Sequence, residues 1–346
     1  MKEILEATLE KLFADQLQPE QLIASEQTQW QAPLWTLIED SGFSLAMVPE
    51  ALGGAQASWH ELVGVIELCG KFCLPLPLPE SIFANWLLGC CGAEPITGPV
   101  SIAAEHNLTV RNGKVTGEMR NVPWGRSVSQ VVAVIAGEQP RVVVMAPSVS
   151  CTVTETTNIA GEPRDHLQFE QAVAELTVPL AAGLTEQVVL LGGAMLRTAQ
   201  ISGALAESML LATSYVNERV QFGRPLAKFQ VVQHQLAVLA EHAAATRVAV
   251  QAAFAQSSGA LAELALMTAK IVAAEAAGIG ASTAHGVHGA IGFTHEYRLH
   301  LLTRRLWSWR SEFGSEAYWA EQLGQAVCRA GAEQYWPTIT RQELSA

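Results

Sequence analysis

The chain has 346 residues, 49% of them hydrophobic, and a formal net charge of −12, enough apolar material for two or three packed units and, without a basic stripe, no electrostatic footprint for nucleic acid. No apolar run of membrane-spanning length is expected, since Arg197 and Gln200 follow Val188–Leu196 and Lys270 and Glu275 interrupt Leu264–Gly280. The acidic start Met1-Lys-Glu-Ile-Leu-Glu does not read as a signal peptide, and six cysteines without a Cys-x-x-Cys pair read as buried thiols, so a cytoplasmic chain without a structural disulfide or zinc site is expected.

From Met1 to about Leu78 apolar residues recur at helical spacing, as in Ile4, Leu5, Leu9, Leu12 and Phe13, and again in Leu62, Val63, Val65, Ile66 and Leu68. The prolines of Leu74-Pro-Leu-Pro-Leu-Pro79 forbid a continuing helix, and one further short helix is expected around Ser81–Leu88. Beyond Pro95–Pro99 come seven short runs of strand composition: Leu108–Arg111, Lys114–Gly117, Gln130–Ile135, Arg141–Met145, Cys151–Thr154, His166–Phe169 and Glu175–Val178. Asn112-Gly113 is a hairpin turn between the first two. From Thr185 onward helical periodicity returns, rich in alanine and glycine, which lets helix axes approach closely and build an oligomer interface. The fold class is therefore α+β, mostly α. It comprises a helical N-terminal domain (1–98), a small antiparallel β middle domain (99–182) and a C-terminal four-helix-bundle-like domain (183–346).

Three segments in this order carry a family resemblance. Glu39–Gly54 contains Gly42, Val48-Pro49-Glu50 and Gly53-Gly54. Arg219-Val-Gln-Phe-Gly-Arg-Pro-Leu226 is followed by Phe229-Gln230 and Gln233. His288-Gly-Ala-Ile-Gly-Phe-Thr-His-Glu296 is followed by Arg304-Arg305. Together they resemble the acyl-CoA dehydrogenases over most of the chain. The resemblance implies FAD as cofactor, an acyl-CoA substrate and an electron-transfer flavoprotein as electron acceptor. It also implies that Arg219, Gln221, Phe222, Phe229 and Gln230 grip the pyrophosphate end of a flavin held mainly by a neighbouring subunit, while Gly289 and Ala290 approach its adenine side. A guanidinium fork suits pyrophosphate oxygens.

Dehydrogenation of an acyl thioester needs a carboxylate to take the α proton and a flavin to take the β hydride. In many family members that carboxylate follows the paired basic residues, a position that falls here at Phe313 or Gly314, neither of them an acid. A subset of the family places it at the start of the first long C-terminal helix, ahead of a Gly-Gly pair. Thr185-Glu186-Gln-Val-Val-Leu-Leu-Gly192-Gly193 resembles that context and makes Glu186 the expected general base. Glu312 and Glu316 are the alternatives, and an ordinary acid in a helix's first turn is the plain reading of Glu186. The backbone N–H near Gly314 is the expected donor to the thioester oxygen.

Two departures stand out. The family's Thr-Glu-Pro-x-x-Gly-Ser and Trp-x-Ser/Thr-Asn segments, which hold the flavin ring, are replaced by Glu94–Ala103 and Asn121–Ser127. This pattern resembles one subunit of the heteromeric, heterotetrameric dehydrogenases of steroid side-chain breakdown, which implies a second dehydrogenase-like subunit. A catalytically silent scaffold or acyl-CoA-binding partner that kept the fold is the competing reading. His285 and His288 read as polar packing, and Trp307, Trp309 and Trp319 as filling of the bundle or its interface.

Overall fold

The computed structural model describes residues 2–18, 22–23, 30–148 and 150–341. Its first part is helical: α1 (Lys2–Gln16), α2 (Ala32–Asp40), α3 (Trp59–Lys71) and α4 (Leu78–Cys90). α3 begins where Ser58 and Glu61 cap each other, the Ser58 N–H donating to the Glu61 carboxylate at 2.9 Å and the Glu61 N–H to the Ser58 hydroxyl at 3.3 Å. Two N–H groups with no partner inside the helix are thereby satisfied. The proline run follows α3 as expected and then starts α4, because Pro79 stands in the first turn, where no N–H is needed.

Nine strands follow: β1 (Val100–Ile102), β2 (Glu105–His106), β3 (Thr109–Arg111), β4 (Lys114–Pro123), β5 (Gln130–Ile135), β6 (Arg141–Met145), β7 (Cys151–Thr154), β8 (Arg164–Val173) and β9 (Leu176–Pro179). They form a four-stranded sheet in the order β1-β5-β6-β9 and a second sheet in the order β2-β4-β8-β7, with β3 on β4. The seven expected strands are all present. β1 and β2 were not anticipated, and β1 pairs with β5 in parallel, a departure from a purely antiparallel sheet. Both extra strands are too short to show a period. The valine-rich β5 and β6 are buried on both faces: Val132, Val134, Val142 and Val144 join the core shared with the helices, while Val131, Ala133, Val143 and Met145 face the second sheet. That two-sided burial is why these strands read as continuous apolar runs.

The remainder is helical: α5 (Val188–Glu218), α6 (Gln230–Gln256), α7 (Glu263–His288), α8 (Leu299–Trp309), α9 (Glu316–Ala330) and α10 (Ala332–Arg341). The expected domain boundaries fall between α4 and β1 and between β9 and α5, and their outer ends, 1 and 346, lie outside the described residues. α5 is the axis of the molecule, packing against α3, α6, α7 and α8. It crosses α3 so closely that a Cβ at Gly203 would stand 1.8 Å from the Glu67 carbonyl oxygen.

One expectation needs correction. Val188–Glu218 and Glu263–Phe293 are long and apolar enough, by length and composition, to cross a membrane, and 94% and 56% of their apolar windows are buried inside the fold. Arg197 and Lys270, taken as breaks in these runs, are themselves buried within it and hydrogen-bonded to partners.

Candidate functional site

The segment after α5 forms a tight hairpin. Val220 pairs with Pro225 and Gln221 with Arg224, and the two-residue loop Phe222-Gly223 has φ of 54° and 77°. Two consecutive left-handed residues make the type I′ turn that matches strand twist, and Gly223 adopts its half without strain. The loop carries Phe222 into solvent at 88% exposure. Its ring meets Phe229 edge-on at 6.1 Å, and the Arg224 guanidinium lies 4.2 Å from the Phe229 centroid on the way into α6. Arg219, Gln221 and Gln230 are exposed as well, and Arg219 makes no ion pair among the described residues.

Gly289 and Ala290 lie at the same end of the bundle. α7 ends at His288, whose ring stacks on Tyr215 one turn before Arg219, with centroids 4.8 Å apart. Gly289 leaves the helix at φ 63° and is exposed, as is Ala290. The histidines pack as expected of polar filling: His288 Nδ1 meets the Ala284 carbonyl at 2.7 Å and Nε2 the Tyr297 hydroxyl at 3.0 Å, and His285 stacks on Phe293. The expected flavin-contacting residues are thus brought to one outward-facing patch.

Glu186 stands at the opposite end of α5. It is exposed, in the turn just ahead of the N-cap residue Gln187. With 33 residues between Glu186 and Arg219 at 1.5 Å rise each, the two lie ~50 Å apart. They do not form one site within the chain.

The Gly-Gly pair behind Glu186 is a double notch. A Cβ on Gly192 would lie 1.9 Å from the Phe83 ring, and one on Gly193 would lie 2.2 Å from the Phe313 ring. Phe313, one of the two positions at which the family resemblance implies the usual acid, adopts a left-handed φ of 53°, a conformation bulky residues rarely hold. Its carbonyl accepts from the Trp319 indole at 3.0 Å, and its ring lies 5.3 Å from the Arg197 guanidinium. Gly314 follows at φ 92°, with Trp319 Nε1 only 2.5 Å from where a Cβ would stand. Glycine is therefore required at 314 by both backbone and packing.

Beneath this loop runs a ladder of alternating charge joining α4, α5, the 310–315 loop, the approach to β8, and α8. Glu80 accepts from Arg197 at 2.7 Å, Arg197 donates to Glu312 at 2.6 Å, and Glu312 accepts from Arg164 at 2.9 Å through both oxygens. Arg164 also donates to Glu162 at 2.8 Å, and Glu162 accepts from Arg305 at 3.0 Å. Asn158 bridges the two inner carboxylates, donating to Glu162 at 2.9 Å and Glu312 at 2.8 Å, and Trp309 Nε1 adds a bond to Glu162. Burial alone would raise the Glu312 pKa, but Arg164 and Arg197 with their hydrogen bonds outweigh it and hold the carboxyl well below the usual carboxylate range. Glu162 is also held low: burial works against ionisation, and Arg305 and Arg164 more than offset it. A carboxylate so committed is a poor proton acceptor, which removes Glu312 from the alternatives for the base. Glu316 sits in the first turn of α9, 3.6 Å from Arg310.

Above the ladder lies a cavity of about 360 Å³ between the second sheet and α8, with Arg120, Asn121, Asn158, Arg164, Ser311 and Trp307 among its lining. A register shift in the β4–β8 pair between Met119 and Val122 turns this stretch of β4 toward it. Trp309 and Trp319 are buried as expected, but Trp307 is 45% exposed on the cavity wall, so it does not fill the bundle. Lys270, fully buried, donates to the Trp309 carbonyl at 2.7 Å and closes the end of α8. Burial pulls its ammonium down to about 7.

Of the ladder residues, Glu80, Glu162 and Arg164 are not singled out by the sequence, and Arg197 and Arg305 stand out there only as a break in an apolar run and as one of the paired arginines. The one available signal was a charge inside an apolar helix, since a buried arginine demands a partner.

Residues 186–328 match the family model described as acyl-CoA dehydrogenase, C-terminal domain. Acyl-CoA dehydrogenase IpdE2 of Mycolicibacterium smegmatis is 27% identical over 308 residues, covering 88% of this chain and 91% of that protein. Among solved structures, the Tcur3481-Tcur3483 steroid ACAD variant superposes with a TM-score of 0.86 at 22% identity, over 96% of this chain and 98% of that one. The ChsE4-ChsE5 complex from Mycobacterium tuberculosis gives 0.84 at 19% identity, over 94% and 97%. At these identities the structural likeness concerns the fold.

Proposed function

We propose that this chain, which matches the acyl-CoA dehydrogenase C-terminal domain over residues 186–328 and shares the fold of such enzymes, is one subunit of a heteromeric assembly that carries out flavin-dependent α,β-dehydrogenation of an acyl-CoA. The observation that carries this reading is the exposed patch of Arg219, Gln221, Phe222, Gly289 and Ala290. A guanidinium without an ion pair among the described residues and an aromatic ring in water, with backbone open beside them, suit the pyrophosphate and adenine of a dinucleotide that a neighbouring chain holds. FAD, when bound, supplies the acceptor for the β hydride. The similarity to a protein named a steroid ACAD and to the ChsE4-ChsE5 complex supports a partner subunit and a steroid-derived acyl group, and the assembly proposed is a heterotetramer. The assembly works in the cytoplasm and passes electrons to an electron-transfer flavoprotein.

Within this chain Glu186 is the residue proposed to take the α proton, and the Gly314 N–H the donor to the thioester oxygen as it gains enolate character. Its ~50 Å distance from Arg219 means that the two serve different flavins. A second reading, in which the chain lends its hairpin to a partner and performs no proton transfer, is favoured by Phe313 filling the loop that elsewhere carries an acid. Glu186→Gln in the assembled complex decides between them. Loss of at least 100-fold in kcat with flavin retained supports Glu186 as base, the scale expected for removing a positioned base. Undiminished turnover leaves only the hairpin-lending role.

A further inference from the structure

Resting on the heteromeric reading above for the presence of two copies of this chain in one assembly, we infer that α6 is where those copies meet, packed antiparallel across a twofold axis near Ala243, and that the partner subunit takes the hairpin instead.

α6 buries one narrow line, with Leu239, Thr246, Val250 and Ala253 turned into the bundle. Its opposite face is apolar and lies in water. Val231, Val238 and Val248 are 71%, 41% and 69% exposed, and Ala237, Ala244 and Ala245 are exposed among them. The neighbouring α7 shows what a solvent face looks like in this fold, since its exposed positions include Thr268, Glu275 and Ser282. β-branched apolar side chains along the outer face of a surface helix mark a second packing partner.

That face is its own complement. Reversed around Ala243, the helix sets Val238 opposite Val248 and Val231 opposite Ala255, with Ala244 and Ala245 at the crossing, where short side chains let two axes come close. The same reversal brings Glu241 of one copy to within ~3 Å, along the helix axis, of Arg247 of the other, and the twofold axis makes the pair twice. Both residues are exposed, and the Arg247 charge also reaches Glu67 of α3. A patch that pairs with itself is isologous and closes at two copies.

The hairpin fits the same arrangement. Its Phe222-Gly223 turn lies just ahead of α6, whose 27 residues span ~40 Å. Antiparallel packing therefore carries the two hairpins to opposite ends of the paired helices, and neither copy can complete the other's flavin patch. A different chain must do so, as the heteromeric reading requires.

The experiment uses the complex purified with its dehydrogenase-like partner, in wild type, Ala245→Glu, Glu241→Arg and the double variant Glu241→Arg/Arg247→Glu. All three positions are exposed, and thermal melting confirms folding. Analytical ultracentrifugation is expected to find two copies of this chain in the wild-type assembly. Ala245→Glu sets a carboxylate against Glu241 of the other copy, and Glu241→Arg faces its Arg247, so each should halve the mass, while the double variant restores it. Ala244→Cys in a Cys328→Ser background, treated with a short bis-maleimide, should link two copies of this chain to each other. Flavin absorbance on the same samples reports separately on the dehydrogenase reading, and the halved complexes are expected to keep their flavin. Full mass retained by Ala245→Glu, a link from Ala244→Cys to the partner subunit, or a wild-type assembly holding one copy of this chain overturns the inference.

Discussion

Replacing Glu312 by alanine removes the central rung of the ladder. In the native chain three carboxylates (Glu80, Glu162, Glu312) alternate with three guanidiniums (Arg164, Arg197, Arg305), and all but Glu312 are at most 5% exposed. The variant leaves two acids against three arginines and strips Arg164 of two of its bonds. Removing one partner of a buried pair costs about 3–5 kcal/mol, chiefly because the other charge stays buried. With an unfolding entropy of roughly 2.1 cal/mol/K per residue, the loss for a chain of this size amounts to a fall in Tm of about 4–7 °C. Scanning calorimetry on Glu312→Ala, Arg164→Met and the double variant measures it, the cycle isolating the coupling between the two. A Tm drop under about 1.5 °C, or simple additivity of the two single changes, would refute the account of Glu312 as the link between the sheets and the helices.

Gly193→Ala drives a methyl group to 2.2 Å from the Phe313 ring and is expected to cost about 1–3 kcal/mol. Phe313→Ala in the same chain should recover part of that loss, as read from urea midpoints, and no recovery would show that the notch does not serve Phe313. Lys270 has its folded pKa lowered to about 7 by burial. Above that value the unfolded chain binds more protons than the folded one, so its contribution to stability rises with pH up to the ordinary lysine value, by about 1.4 kcal/mol per pH unit. Wild type should therefore gain on Lys270→Met between pH 7 and pH 9.5, and equal pH profiles would contradict the burial argument. Glu312 titrates the other way. Its folded pKa is depressed, so its contribution is complete above the ordinary carboxylate value and is lost as pH falls below it. The melting difference between wild type and Glu312→Gln should accordingly shrink from pH 6 to pH 3.

What could be read from the sequence was whatever has a local period or a local turn. The valine runs of β5 and β6 and the Asn112-Gly113 turn declare themselves within a few residues. The vacancy left by the usual acid was also visible, because Phe313-Gly314 follows the paired arginines at a countable distance. What replaced it was not. The six ladder residues span positions 80 to 312, and nothing in the neighbourhood of Arg197 names Glu80 or Glu312 as its partner. Arg197 and Lys270 looked like interruptions of apolar helices because burial with compensation and exposure leave the same letter in a sequence. Trp307, Trp309 and Trp319 read alike in the sequence, and only the fold separates the exposed Trp307 on the cavity wall from the two buried ones.

The ladder bears on how the molecule can be taken apart. Each end of the sheet-bearing segment 99–182 lies in a connection that looks like an easy cut, yet Glu162 and Arg164 on that segment find Glu312 and Arg305 more than a hundred residues downstream. Excised, the segment would keep only one acid–arginine contact of the ladder and expose the apolar faces of β5 and β6 that now meet helices. It is therefore not a portable module, and exchange of middle segments between relatives should succeed only when the downstream loop travels with them.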